Sequence, residues 1–118
     1  MVDINTFVPQ MVEDILVLEP FFPDVVPAFP LGILTPLDDG AGLILSGRER
    51  LCGVLFQIDV YDTDQQRCEQ TAARIAARLI RRGFDRRAGQ VFREDRLFRH
   101  TLTFSAQIDE QTHYIYRR

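Results

Sequence analysis

The chain has 118 residues, of which 46% are hydrophobic, and a formal net charge of -3. That length predicts one domain spanning residues 1–118, and apolar residues spread along nearly the whole chain, without low-complexity tracts, exclude a disordered protein. No uninterrupted apolar run approaches the roughly 20 residues that cross a bilayer, and the amino terminus lacks the basic start of a signal peptide, so the expectation is a protein made and kept in a cytoplasm, with no membrane partner.

Charge is distributed unevenly. All 14 basic residues are arginine and every one lies at or after Arg48, whereas residues 1–47 carry only acids among their charged side chains. Near the amino end, Met11, Val12, Ile15, Leu16 and Leu18 recur at helical spacing. With Asn5 or Thr6 as a cap and Pro9 in the first turn, they predict a short first helix. All six prolines fall between Pro9 and Pro36, and those at 20, 23, 27 and 30 make residues 19–30 an ordered, extended connection rather than a helix.

Residues 31–37 read as a strand, and Asp38-Asp39-Gly40-Ala41-Gly42 supplies a tight turn. This Gly-Ala-Gly is not a phosphate loop: it lacks the Gly-Lys-Ser/Thr ending, and two acids precede it. An irregular strand is expected to begin near Leu43. From Leu51 to Tyr61 the alternation is clear, with Cys52, Val54, Phe56, Ile58 and Val60 on one face and Gly53, Gln57 and Asp59 on the other. This predicts a central strand with one buried side.

Asp62-Thr63-Asp64-Gln65-Gln66 opens the strongest helix, since Thr63 and Gln66 have capping-box spacing and acids suit a helix amino end. Cys68, Ala72, Ile75, Ala76 and Leu79 form its apolar stripe, Arg81 and Arg82 occupy the last turn, and Gly83 is placed for a left-handed cap. Residues 84–93 read as a strand or twisted arm containing Gly89, with a turn at Glu94-Asp95. Residues 97–109 alternate again, with Phe98, His100, Leu102, Phe104, Ala106 and Ile108 on one face. Residues 113–116 are a candidate edge strand. The expected class is α+β in the order α-β-β-α-β-β, an antiparallel or mixed sheet with two helices packed mainly on one face.

Few residues invite catalysis. Asp62-Thr63-Asp64 superficially resembles an acidic metal and nucleotide-sugar motif, but carboxylates at a helix start cap exposed N–H groups, and no further oxygen ligand is identifiable. His100, between Phe98 and Leu102 on the apolar side of a strand, reads as a core or interface histidine; together with Asp59 it is the sole acid–base candidate for an enzyme. His113 has no Cys or His at ligand spacing. Cys52 and Cys68 have neither metal spacing nor the density of a disulfide scaffold, and read as buried free thiols. No catalytic residue, metal site or cofactor is therefore expected.

The main surface signal lies between Arg74 and Arg99, where nine arginines meet three acids. A solvated face is one reading; the other is contact with an acidic protein surface or a nucleic acid, because guanidinium forks suit carboxylate and phosphate alike. The net negative charge disfavours nucleic acid. An acidic first half and an arginine-rich second half suit head-to-tail contact between identical copies, with Arg78, Arg81, Arg82, Arg86 and Arg87 on one side and Asp38 and Asp39 on the other.

The run Gly53-Val54-Leu55-Phe56-Gln57-Ile58-Asp59-Val60-Tyr61, a polar cap, an Ala-rich helix ending Arg81-Arg82-Gly83-Phe84, and a late strand ending Gln107-Ile108-Asp109 resembles the tail terminator proteins of tailed bacteriophages. Length, element order, the short opening helix and the proline-rich entry to the sheet are similar too. Relatives in the head-to-tail connector region look much the same. The resemblance implies a structural protein of a phage or prophage, built in the bacterial cytoplasm and carried in the tail or neck of the virion. Such a protein forms a ring, commonly of six subunits, that stops tail-tube polymerisation and joins the head connector without a cofactor or catalysis. The alternatives are a head-completion or neck protein, and an arginine-rich nucleic-acid-binding module.

Overall fold

Local signals near the amino end place the first helix earlier than its apolar spacing suggests. In a computed structural model, which describes residues 3–26, 28–37, 43–46 and 49–116, α1 spans Ile4–Met11. Its cap is Asp3, whose carboxylate accepts from the Asn5 N–H and the Thr6 hydroxyl at 3.1 and 2.9 Å, so neither Asn5 nor Thr6 is the cap. Val12, Ile15 and Leu16 do not continue the helix. They follow it in a turn closed by the Ile15 and Leu16 N–H groups on the Val12 carbonyl, and Val12 and Leu16 are buried all the same.

The strands that follow are β1 (Leu18–Glu19), β2 (Leu31–Leu37), β3 (Leu43–Ser46) and β4 (Glu49–Asp62); after α2 (Gln65–Arg82) come β5 (Asp85–Glu94), β6 (Leu97–Asp109) and β7 (Ile115–Tyr116). The class is α+β, as expected. Strand β3 lies where an irregular strand near Leu43 was expected and β7 within the candidate edge strand at 113–116, while β1 is an addition to the anticipated order. The sheet runs β1-β2-β4-β6-β5, with β3 also on β4 and β7 also on β6. It is mixed because β1 lies parallel to β2 while the other pairings are antiparallel.

Register determines the faces. Opposite Phe56 stands Phe104, opposite Ile58 stands Leu102, and opposite Val54 stands Ala106, so both central strands turn their apolar sets to one side. Both helices cover that side: Ile4, Val8 and Met11 of α1 and Cys68, Ala72, Ile75 and Leu79 of α2 join the same buried cluster. Phe56 lies at its centre, edge-on to Phe84 at 5.3 Å and tilted against Phe104 at 5.7 Å. Cys68 is also there; burial pushes its thiol up to about 11, which keeps it protonated and unreactive. Cys52 and Cys68 are free, Cys52 only half-buried.

Helix α2 ends on Gly83, with φ at 113°. Its N–H and that of Phe84 return to carbonyls of the last turn. A Cβ there would sit 3.0 Å from both Cγ2 and the carbonyl oxygen of Ile115. Gly83→Ala combines backbone strain with this crowding and is expected to destabilise the fold by about 2 kcal/mol, read as a lower urea midpoint with an unchanged slope.

Candidate partner interface

The acids at the start of α2 are engaged structurally. Buried Asp62 receives the Arg67 guanidinium through Nε at 2.6 Å and Nη2 at 2.7 Å, and the Asp64 N–H at 3.0 Å. The cap is Asp64, accepting from the Arg67 N–H at 3.2 Å, rather than Thr63, because a carboxylate one residue later meets that donor directly. Burial alone would raise the Asp62 pKa, but the Arg67 and Asp64 donors outweigh it and the carboxyl titrates below its ordinary value. No group of three or more metal-ligating side chains occurs among the described residues.

His100 and Asp59 are not brought together. Val60 stands opposite His100 and Asp59 opposite Thr101, which puts the two side chains on opposite faces of the sheet. Asp59 accepts from the Thr101 hydroxyl at 2.5 Å and from Gln57 Nε2 at 2.9 Å. His100 lines a cleft of about 90 Å³ with Glu69, Ala73 and Arg86. Burial, then the neighbouring Arg86 charge, lowers its pKa, so the imidazole is neutral at pH 7.

The arginines divide by what they touch. Arg78 grips Asp14 with Nη1 at 2.7 Å and Nη2 at 2.9 Å, and donates to the Met11 carbonyl at 2.8 Å. It fastens α2 to the turn after α1, and the same grip lowers the Asp14 pKa to about 2. Arg87 reaches Asp85 only at 4.0 Å and both are substantially exposed, a pairing that contributes little. Arg81, Arg82 and Arg86 are exposed, and none of them forms an ion pair with the described residues. Asp38 and Asp39 lie outside the described residues.

Arg81 and Arg82 rim a groove of about 440 Å³ whose other walls include Phe7, Met11, His113 and Tyr114. Three separate stretches of chain build it, and sequence reasoning gave its aromatic members no role. The turn carrying His113 and Tyr114 is shaped by Asp109, whose Oδ1 accepts from the Gln111 and Thr112 N–H groups at 2.8 and 3.0 Å. Those donors, Thr112 first, hold the Asp109 pKa below its ordinary value. Phe7 meets the His113 ring edge-on at 5.4 Å, which ties α1 to the tail across the groove floor.

Beside the groove runs β5, which pairs with β6 along one side and ends the strand order on the other. Its Val91 and Phe92 are exposed, and Arg99 lies 4.6 Å over the Phe92 ring. At that same end of the sheet, where Phe92 stands opposite Arg99 and Arg99 opposite Tyr61, Phe21, Phe22 and Val25 are also exposed, Phe22 standing edge-on to Tyr61 at 5.1 Å. No helix among the described residues is long and apolar enough to cross a membrane. In comparison with known proteins, no family model matches this chain and no curated protein matches it either.

Proposed function

We propose that this chain is a structural assembly protein of a phage or prophage, a tail terminator that works by joining copies of itself and a tail partner rather than by converting a substrate. The observation that carries the reading is the separation of two unsatisfied surfaces. Arg81, Arg82 and Arg86 lie at the carboxyl end of α2 and the start of β5 without an ion pair among the described residues, and exposed apolar side chains cluster at 21, 22 and 25 near the far end of the sheet. Unlike surfaces on opposite ends of one body suit heterologous contact, which closes into rings when the rotation permits. The resemblance to tail terminators supplies the finer role, a ring on the tail tube that meets the head connector.

Light scattering coupled to negative-stain microscopy, with the protein alone and beside purified tail tubes, tests this. A ring, alone or capping a tube, is the expected result. Arg81, Arg82, Arg86 and Arg87 changed together to Ala are expected to leave the circular dichroism spectrum intact and abolish assembly, because none of the four anchors the fold as Arg78 does. Unchanged assembly and tube binding in that variant would remove the arginines from the contact. A chain that stays solitary beside tubes, yet shifts nucleic acid in a gel with affinity falling steeply as salt rises, would replace the reading with the nucleic-acid alternative.

A further inference from the structure

The strap at residues 20–26 and the groove at the end of α2 have complementary chemistry. Phe21 is 79% exposed and Val25 82%, and they alternate with prolines that hold the segment extended at low entropic cost to a binding partner. Glu19 and Asp24 flank Phe21 and Phe22, with Val25 directly after Asp24, and neither acid forms an ion pair among the described residues. The groove offers the converse: an apolar and aromatic floor from Phe7, Met11 and Tyr114 under the two arginines at 81 and 82. A short segment with apolar side chains between two carboxylates fits an apolar trough with cationic rims.

One copy cannot satisfy itself this way. The strap abuts Tyr61 at one end of β4. The groove lies at the other end, where Gly83 touches Ile115, Ile115 pairs with Ile108, and Ile108 stands opposite Cys52. Tyr61 and Cys52 are nine residues apart on the strand, which at strand rise separates the two features by about 30 Å.

We propose that the strap of one copy docks in the Arg81–Arg82 groove of the next, with Phe21 and Val25 on the groove floor and Glu19 and Asp24 against the guanidinium rim. This rests on the self-assembly reading above and names the surfaces that carry it. The occupant is a second copy of this chain because the strap's acid-flanked apolar run is already present in the molecule, exposed, and out of reach of its own groove. A strap of this length buries less than the roughly 800 Å² per partner of a standard interface. The single contact is therefore weak, and closing a ring, in which every copy is held twice, makes it persist.

Three chains test this by sedimentation velocity: Phe21→Ser with Val25→Ser in the strap, Arg81→Glu with Arg82→Glu in the groove, and the groove pair combined with Glu19→Arg and Asp24→Arg. The strap and groove variants are each expected to associate about thirtyfold more weakly than wild type, the loss of a hot-spot contact, with unchanged circular dichroism because the altered side chains are exposed. Mixing the two is expected to yield dimers that grow no further, since one sound strap meets one sound groove and each dimer ends in a damaged surface. The charge-exchanged chain is expected to recover assembly. Variants that assemble like wild type would overturn the docking and leave self-assembly standing. A wild-type chain that never associates, alone or beside tail tubes, would overturn both.

Discussion

Phe56→Ala is expected to cost about 4 kcal/mol, a large share of the stability of an ordinary domain. Phe56 is fully buried and lies against Phe84 and Phe104 at 5.3 and 5.7 Å, so truncation removes two aromatic contacts and leaves a cavity between the central strands and α2. Those strands are locked by their ladder and cannot collapse to fill it, which places the cost in the upper part of the range for such changes. The neighbouring Leu55 points to the opposite, helix-free face and is only half-buried; Leu55→Ala is expected to cost about 1 kcal/mol. Urea unfolding of the two variants checks the assignment of faces. Equal losses would mean that the core does not lie where the alternation of β4 puts it.

Asp62→Ala is expected to cost about 2 to 3 kcal/mol. The carboxylate is buried and collects the Arg67 guanidinium and the Asp64 N–H, and its removal strands both donors at the start of α2. Arg67 is half exposed and rehydrates, which keeps the loss at the lower end for a broken pair. Acid gives a second readout. Asp62 titrates below its ordinary 3.8 in the fold, so its contribution is complete above that value and is lost as pH falls through the lower folded value. Asp14, held by Arg78 at about 2, loses its contribution in the same direction. Wild-type stability is therefore expected to fall as pH drops from about 4 towards 2, and to fall less steeply in Asp62→Ala. An identical acid profile in the two chains would show that Asp62 does not carry this dependence.

The parts of the fold legible in the sequence are those whose burial follows one clean period. Residues 97–109 were delimited by their alternation and form β6 over that range, and the stripe from Cys68 to Leu79 with Gly83 behind it gave α2 and its cap. The first helix was misplaced because Val12 and Leu16 are buried through a turn: apolar spacing reports what faces the core, not the backbone shape that brings it there. Strand β1 has two residues, too few for any period.

Arginine density was legible too, but the role of each arginine was not. Arg78 finds its acid 64 residues earlier in the chain and Arg67 finds Asp62 across a helix start. Pairings of that kind depend on tertiary geometry that neither spacing nor composition encodes. The groove is invisible to spacing for the same reason, since Phe7, Arg81 and Tyr114 come together only when both helices and the tail have docked.

The register at the centre of the sheet bears on how quickly the chain folds. Leu51 pairs with Asp109 and Asp62 with Phe98, so the second half of the central ladder is made long after the first. Phe56 waits for Phe104, its partner 48 residues later, so the centre of the sheet closes by a long-range contact that forms only after α2 and the β5–β6 hairpin are available. Joining strands so far apart in sequence is expected to make refolding slower than that of a helical chain of the same length.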